Sequence, residues 1–199
     1  YGIQNMPRTT SEITSGYDGL ATRWDRAHGM TESEKQATAS LVHATFGEKL
    51  WRTLDVGCGT GLPLDLGLVE PVRYVGIDPS NAMLNALVMK HPVLAGVHPM
   101  TYAETERRRV LCGSRYDTVL VLGGSASHLA PEEIEQLRSR AKRDVLLMHY
   151  APDTSQKDVD LDSHLAGDSL HAATASATSQ IRIGRYIASI LPGTATVSA

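Results

Sequence analysis

The sequence predicts an α/β protein built on a doubly wound, mainly parallel β-sheet with helices on both faces. Three observations carry that expectation. The run from Leu50 to Val56 is apolar and β-prone, and it ends in a loop with glycines at 57, 59 and 61. A second apolar run, Tyr74 to Ile77, ends in Asp78, seventeen residues beyond Gly61. A third, Tyr116 to Leu122 (Y-D-T-V-L-V-L), has the continuous apolar character of a central parallel strand. A glycine loop directly after a strand turns the backbone sharply and brings it close to a ligand. An acid ending the second strand of such a sheet accepts hydrogen bonds from a ribose. Loop and acid together describe a pocket for an adenosine-containing cofactor. Asp78 has a plainer reading as well, the N-cap of the helix that follows.

The spacing of the glycines selects the cofactor. A dinucleotide fingerprint, G-x-G-x-x-G, would place its third glycine at position 62, which is Leu62. That disfavours a nicotinamide-dependent oxidoreductase. With Asp55 in front, the pattern is D-x-G-x-G-x-G. D-V-G-C-G-T-G followed by G-I-D-P-S-N-A-M-L (Gly76 to Leu84) resembles the class I S-adenosylmethionine (SAM)-dependent methyltransferases of the small-molecule type. The resemblance covers roughly Tyr17 to Tyr150. It implies a Rossmann-like sheet with an antiparallel last strand, SAM as cofactor and S-adenosylhomocysteine (SAH) as product. It also implies a cofactor site at Asp55, Gly57, Cys58, Gly59, Gly61, Asp78, Pro79 and Met83. Family members usually end strand three in Asp-Ala-Glu, where this chain has Tyr102-Ala103-Glu104. Tyr102 would then flank the adenine and the Ala103 backbone would read its edge.

Composition bounds the function classes. The 199 residues suffice for one domain with a proper core, and a formal charge of -3 gives no general attraction to nucleic acid or anionic membrane. Two cysteines, Cys58 and Cys112, cannot form a disulfide framework and read as reduced thiols of a cytoplasmic protein. No apolar run has the length of a membrane span, and no signal-peptide pattern opens the chain. The expected organisation is one domain over 1–199. A lead-in and lid helix would occupy 1–30, the cofactor-binding core 31–150, and a C-terminal loop and last strand 151–199.

In chain order, Tyr1 to Ser15 is polar, and Tyr17 to His28 reads as a helix with Tyr17, Leu20, Ala21 and Trp24 on one face. The resemblance makes its Y-D-x-x-A-x-x-W-D a lid over the pocket; the alternative is a face packed on the sheet. Thr31-Glu32-Ser33-Glu34 is a capping box for a helix to Phe46, stopped by Gly47. Pro63 belongs in the first turn of a short helix closed by Gly67 and Pro71. Asn81 to Lys90 is helical, capped by Ser80 or Asn81. Strand three falls within Gly96 to Thr101, and Arg107-Arg108-Arg109 reads as a solvated helix end. Pro131 starts a helix to about Lys142 with acids early and bases late, as the helix dipole favours. Val145 to Met148 is strand five, Asp153 to Asp168 a loop or frayed helix, and Ile181 to Leu191 the last strand, with His171 to Ala177 as hairpin partner.

The segment Gly123 to Leu129 (G-G-S-A-S-H-L) follows the fourth strand, at the switch point where open α/β sheets bind ligands. The resemblance gives Leu122 and Gly123 the methionine end of SAM, and makes Ser125, Ser127 and His128, with Tyr17 and Trp24, acceptor-side candidates. His128 has an ordinary pKa suited to accepting a proton, the catalytic reading; otherwise it shapes the pocket or caps the next helix. His149, ending strand five, is the second histidine on the ligand side. No histidine pair has metal-ligand spacing, so no metal is expected. Asp55 would order the loop amides or the methionine amino group. No Asp/Asn-Pro-Pro-aromatic motif follows strand four, which with the acidic balance argues against a nucleic-acid substrate. The resemblance thus implies methyl transfer to nitrogen or oxygen of a small molecule, with a protein or RNA methyltransferase, or a non-catalytic SAM-binding regulator, as alternatives.

Overall fold

The computed structural model describes residues 10–27, 29–152 and 177–194. The expected loop over 153–168 and the expected hairpin partner up to residue 176 lie outside these, as does His28. All described strands belong to one seven-stranded sheet. They are β1 (Thr53–Val56), β2 (Tyr74–Ile77), β3 (Gly96–His98), β4 (Thr118–Val121), β5 (Asp144–Tyr150), β6 (Ser179–Ile183) and β7 (Tyr186–Pro192). Their order is β3-β2-β1-β4-β5-β7-β6. The first five run parallel, and β7 lies antiparallel between β5 and β6. From β3 the chain returns to the far side of β1, so the strand order reverses between β1 and β4. The crevice at their carboxyl ends is the switch point of a doubly wound sheet.

Alternation along the strands splits the core in two. Leu54, Val56, Val75, Ile77, Val119 and Val121 face one layer, with Tyr102, Ile134 and Leu137. Tyr74, Leu120, Leu122, Leu146 and Met148 face the other, with Val42, Phe46, Leu84 and Leu87. The second layer is covered by α3 (Glu32–Phe46), the one-turn α4 (Leu62–Asp65) and α5 (Asn81–Lys90), the first by α6 (Tyr102–Arg107) and α7 (Pro131–Arg140). The helix starts are chemically specified. Thr31 Oγ1 accepts from the Glu34 amide at 3.3 Å while Glu34 Oε2 accepts from the Thr31 amide at 2.9 Å, the expected capping box. Ser80 Oγ accepts from the Met83 amide at 3.1 Å, so Ser80 is the cap of α5.

Four sequence expectations are corrected. The first helix begins earlier than Tyr17: α1 spans Thr10–Leu20, followed by a 3₁₀ turn (Ala21–Arg23) and α2 (Trp24–Ala27). Ile181 to Leu191 is not one strand but the hairpin β6–β7, turning at Gly184 and Arg185, with Gly184 at φ +55°. A Cβ at Gly184 would strike the Glu34 carboxylate, whose Oε1 also accepts from the Arg185 amide at 3.2 Å. The capping glutamate of α3 therefore fixes the hairpin turn. Tyr102 does not end a strand but opens α6, through a second capping box between Thr101 and Glu104. Leu50 and Tyr116 fall outside the strands and make isolated bridges to Val69 and Ala141.

Candidate active site

A cavity of about 440 Å³ opens at the carboxyl ends of β1, β2 and β4. The glycine loop forms its floor. The amides of Gly57 and Cys58 both donate to the Ile77 carbonyl, at 2.8 and 3.0 Å, so the loop crosses the end of β2. Gly57, Gly59 and Gly61 have φ of +69, +50 and +92°, the left-handed region open to glycine. A Cβ at Gly57 would meet the Ser125 side chain, and one at Gly61 would collide with Leu87. At Gly59 a Cβ would meet nothing within 4 Å, because that position faces the cavity. Gly61 sits under the loop against α5 and does not line the cavity.

Asp78 stands beside this loop. Its Oδ2 accepts from the Gly59 amide at 2.9 Å and its Oδ1 from the Ser80 amide at 2.8 Å. It is therefore not the helix cap, a task Ser80 performs; it ties loop to helix with its carboxylate in the cavity wall. Burial raises its pKa to about 6 against the pull of those two amides, and Asp18 adds to the rise. Asp55, 1 % exposed, receives the Tyr74 hydroxyl on Oδ2 at 2.7 Å, while its Oδ1 has no hydrogen-bond partner among the described residues. Burial pushes Asp55 up to about 7, despite the Tyr74 hydroxyl.

These two acids make the ligand-free protein sensitive to alkali. Folded, they hold protons that the unfolded chain releases nearer pH 4, so stability falls as pH rises through their folded pKa values. Burial lowers the pKa of His98 and His128, which work in the opposite sense until the unfolded imidazoles are neutral, about one unit above pH 6.5. Asp55→Asn isolates the carboxylate: its stability relative to the wild type is expected to grow as pH rises from about 4 to 7 and to level off above. A stability difference that stays constant or shrinks over that range would contradict a raised Asp55 pKa.

One end of the cavity is walled by Pro79, Met83, Met100, Thr101 and Ala103. Thr101 Oγ1 caps the Glu104 amide at 3.2 Å, and the Ala103 amide, second in the helix, has no hydrogen bond among the described residues. Tyr102 contributes to the wall, but it is only 2 % exposed and its ring belongs to the core layer of α7. Burial and the Glu106 carboxylate raise its pKa far above the usual phenol range.

At the other end lie Leu122, Gly123, Ser125 and His128. Gly123 and Gly124, at φ +63 and +86°, turn the chain into a 3₁₀ turn over Ser125–His128. The Ser125 hydroxyl donates to the Gly57 carbonyl at 3.1 Å, which makes it a brace for the glycine loop. Ser127 is buried and its Oγ accepts from the Tyr150 amide at 3.3 Å; it does not line the cavity. His149 is likewise buried outside the cavity wall, its Nδ1 3.0 Å from the Tyr150 carbonyl. His128 does face the cavity, its ring 6.5 Å from that of Tyr17 at 87°. With its pKa held down by burial, it is neutral near pH 7 and can accept a proton.

The aromatic pair Tyr17 and Trp24, edge to face at 5.2 Å, closes the cavity above. Burial first, then Tyr150, Asp78 and Tyr186, push the Tyr17 phenol well above its ordinary pKa. Two acids hold this segment, and sequence reasoning assigned neither a role. Asp18 Oδ1 accepts from the Ser80 hydroxyl at 2.6 Å and the Ala82 amide at 3.3 Å, at the start of α5. Asp25 accepts from the Thr60 hydroxyl of the glycine loop and pairs with Lys90 at 3.0 Å, at the end of α5. Burial works against its charge, yet Thr60 and Lys90 hold the Asp25 pKa below the usual value. Lys90 also pairs with Asp65 at 2.6 Å, and His91 Nε2 lies 2.8 Å from the same carboxylate. Tyr186, another wall residue absent from the sequence expectations, rests on Tyr150 at 5.3 Å between ring centroids.

Comparison with known proteins places the architecture. No protein-family model and no curated protein sequence matches the chain. Solved structures do. DhpI in complex with SAH superposes with a TM-score of 0.62 at 16 % identity, over 93 % of this chain and 97 % of that one. The magnesium protoporphyrin IX methyltransferase ChlM from Synechocystis PCC 6803 with bound SAM gives 0.57 at 18 % identity, over 94 % and 98 %. A SAM-dependent methyltransferase from Leishmania major gives 0.63 at 9 % identity, over 90 % and 82 %. Among the described residues no group of three His, Cys, Asp or Glu side chains could hold a metal ion, and no helix is long and apolar enough to cross a membrane. The strand order, the antiparallel β7 and these superpositions identify the chain's architecture as the class I SAM-dependent methyltransferase fold.

Proposed function

We propose that this protein is an enzyme that transfers a methyl group from SAM to nitrogen or oxygen of a small-molecule acceptor, releasing SAH. The observation that carries the reading is the convergence on one cavity of the glycine loop, the buried acids Asp55 and Asp78, and His128 under an aromatic cover. The donors and acceptors in that cavity suit the cofactor. Asp78 retains lone pairs for ribose hydroxyls, and Ala103 has an amide for an adenine edge. Asp55 has an unpartnered oxygen for an amino group, and Gly59 leaves its surface bare for the loop's close approach. When bound, SAM supplies a methyl group on a sulfonium sulfur, open to in-line displacement. The protein's part is to position and dry the acceptor, which Tyr17, Trp24 and Tyr186 do by covering the cavity. Neutral His128 takes the proton that a hydroxyl or ammonium acceptor must lose. Small-molecule acceptors accord with ChlM, whose substrate is magnesium protoporphyrin IX. A buried free thiol at Cys58 within the glycine loop favours a reducing, cytoplasmic setting.

Incubation with methyl-labelled SAM and a host lysate, split into metabolite, protein and RNA fractions, tests the reading. Label in the metabolite fraction supports it. Label in protein or RNA overturns the acceptor class, and binding of SAM without label in any fraction favours a regulator. With the acceptor identified, His128→Ala is expected to slow turnover by roughly 10²-fold with SAM affinity unchanged. An unaltered rate would reduce His128 to a wall residue.

A further inference from the structure

We infer that Tyr74 is a positioning residue for the amino-acid end of the cofactor, its hydroxyl holding one oxygen of the Asp55 carboxylate so that the other is left to receive an α-ammonium group. The inference rests on the cofactor reading above and adds the pair that reads the charge. Asp55 on β1 is in register with Gly76 on β2, and Tyr74, two residues earlier, points to the same face. Because Gly76 has no side chain, the Tyr74 ring and Cys58 Sγ fill the space beside Asp55. A Cβ at Gly76 would lie 2.8 Å from that sulfur and 3.0 Å from Tyr74 Cε1. Tyr74 is 0 % exposed, so its hydroxyl has no water to turn to and is committed to Asp55 Oδ2 at 2.7 Å. The other oxygen, Oδ1, is buried with no partner among the described residues, in a residue that lines the cavity. A buried carboxylate oxygen without a donor is costly, and a primary ammonium supplies both donor and charge.

The titratable groups facing Asp55 are Tyr74 on β2, Cys58 in the loop and Asp78 beyond β2, while β4 presents Leu120 at the paired position. Burial pushes Tyr74 and Cys58 up, leaving both neutral, so Asp78 is the other group here that titrates near neutrality. Without the Tyr74 hydroxyl, Asp55 loses its one hydrogen bond to the charged form, and its pKa rises further. The charge would then be missing at neutral pH and restored only in alkali.

The test measures affinity for SAH and for methylthioadenosine, which lacks the amino-acid end, across about pH 6 to 9. Wild-type affinity for SAH is expected to rise with pH as Asp55 ionises. Tyr74→Phe should move that rise up by about one pH unit, a roughly fivefold loss at pH 7 that closes in alkali. Methylthioadenosine affinity should not respond to Tyr74→Phe. Asp55→Asn should flatten the upper step of the SAH profile, and adding Tyr74→Phe to it should change nothing further. An SAH profile unchanged by Tyr74→Phe, or an equal loss for methylthioadenosine at every pH, overturns the inference and leaves the cofactor reading standing. A folded wild type that binds neither compound overturns both.

Discussion

Gly59→Val is expected to abolish SAM and SAH binding while the protein remains folded. The three loop glycines serve different purposes, and of the three only Gly59 has open space where a Cβ would stand. At Gly57 a side chain would meet Ser125, and at Gly61 it would strike Leu87, so substitutions there disturb packing. At Gly59 a Cβ has open space, and φ of +50° is the main obstacle. Left-handed backbone costs an L-residue about 1–2 kcal/mol, which for a chain of this size lowers the melting temperature by several degrees. The valine methyl groups would stand in the cavity beside Asp78, in the space the loop keeps clear for close approach. Calorimetric titration alongside thermal unfolding separates the two effects. A folded valine variant with wild-type affinity would remove the glycine loop from the binding site.

The second large effect is at Asp78. Asp78→Ala is expected to weaken SAM binding by about 100-fold or more, since it removes the proposed acceptor for the ribose hydroxyls and the anchor of the loop at once. The Gly59 and Ser80 amides lose their shared partner, so the loop no longer rests in its binding geometry. Stability should change much less than affinity. The unmet amides are offset by relief of a buried acid whose pKa has risen to about 6. Equilibrium titration with SAM checks the first statement, and full retention of affinity would withdraw the ribose assignment.

What the sequence disclosed is what depends on neighbours along the chain. The glycine spacing, the Thr31–Glu34 box, Ser80 as cap and the apolar runs of β1, β2 and β4 are all local chemistry, and the structure has them. The errors share a different origin. Ile181 to Leu191 is apolar enough to pass for one strand; only the contact of Glu34 with the Arg185 amide, 151 residues apart, shows why the chain turns at Gly184. Tyr102 was aligned with a strand end, although Thr101 and Glu104 carry the same capping signature that identified α3. Asp18 and Asp25 stood in plain view beside Tyr17 and Trp24. Their partners on α5 are 64 and 65 residues away, and no local rule joins them. Tyr74 passed for an ordinary strand residue because its hydroxyl matters only once Asp55 is beside it.

The grip of Asp18 and Asp25 on opposite ends of α5 has a kinetic consequence. Asp18 meets the amide-rich start of that helix, where the dipole favours an anion, and Asp25 pairs with the lysine at its finish, where the dipole favours the lysine and the ion pair alone holds the carboxylate. A cover fastened at one point swings; fastened at two, it lifts only when both clasps release together. On the proposed reading, release of SAH is expected to quicken with ionic strength, which screens the exposed Asp25–Lys90 pair and leaves the partly buried Asp18–Ser80 contact in place.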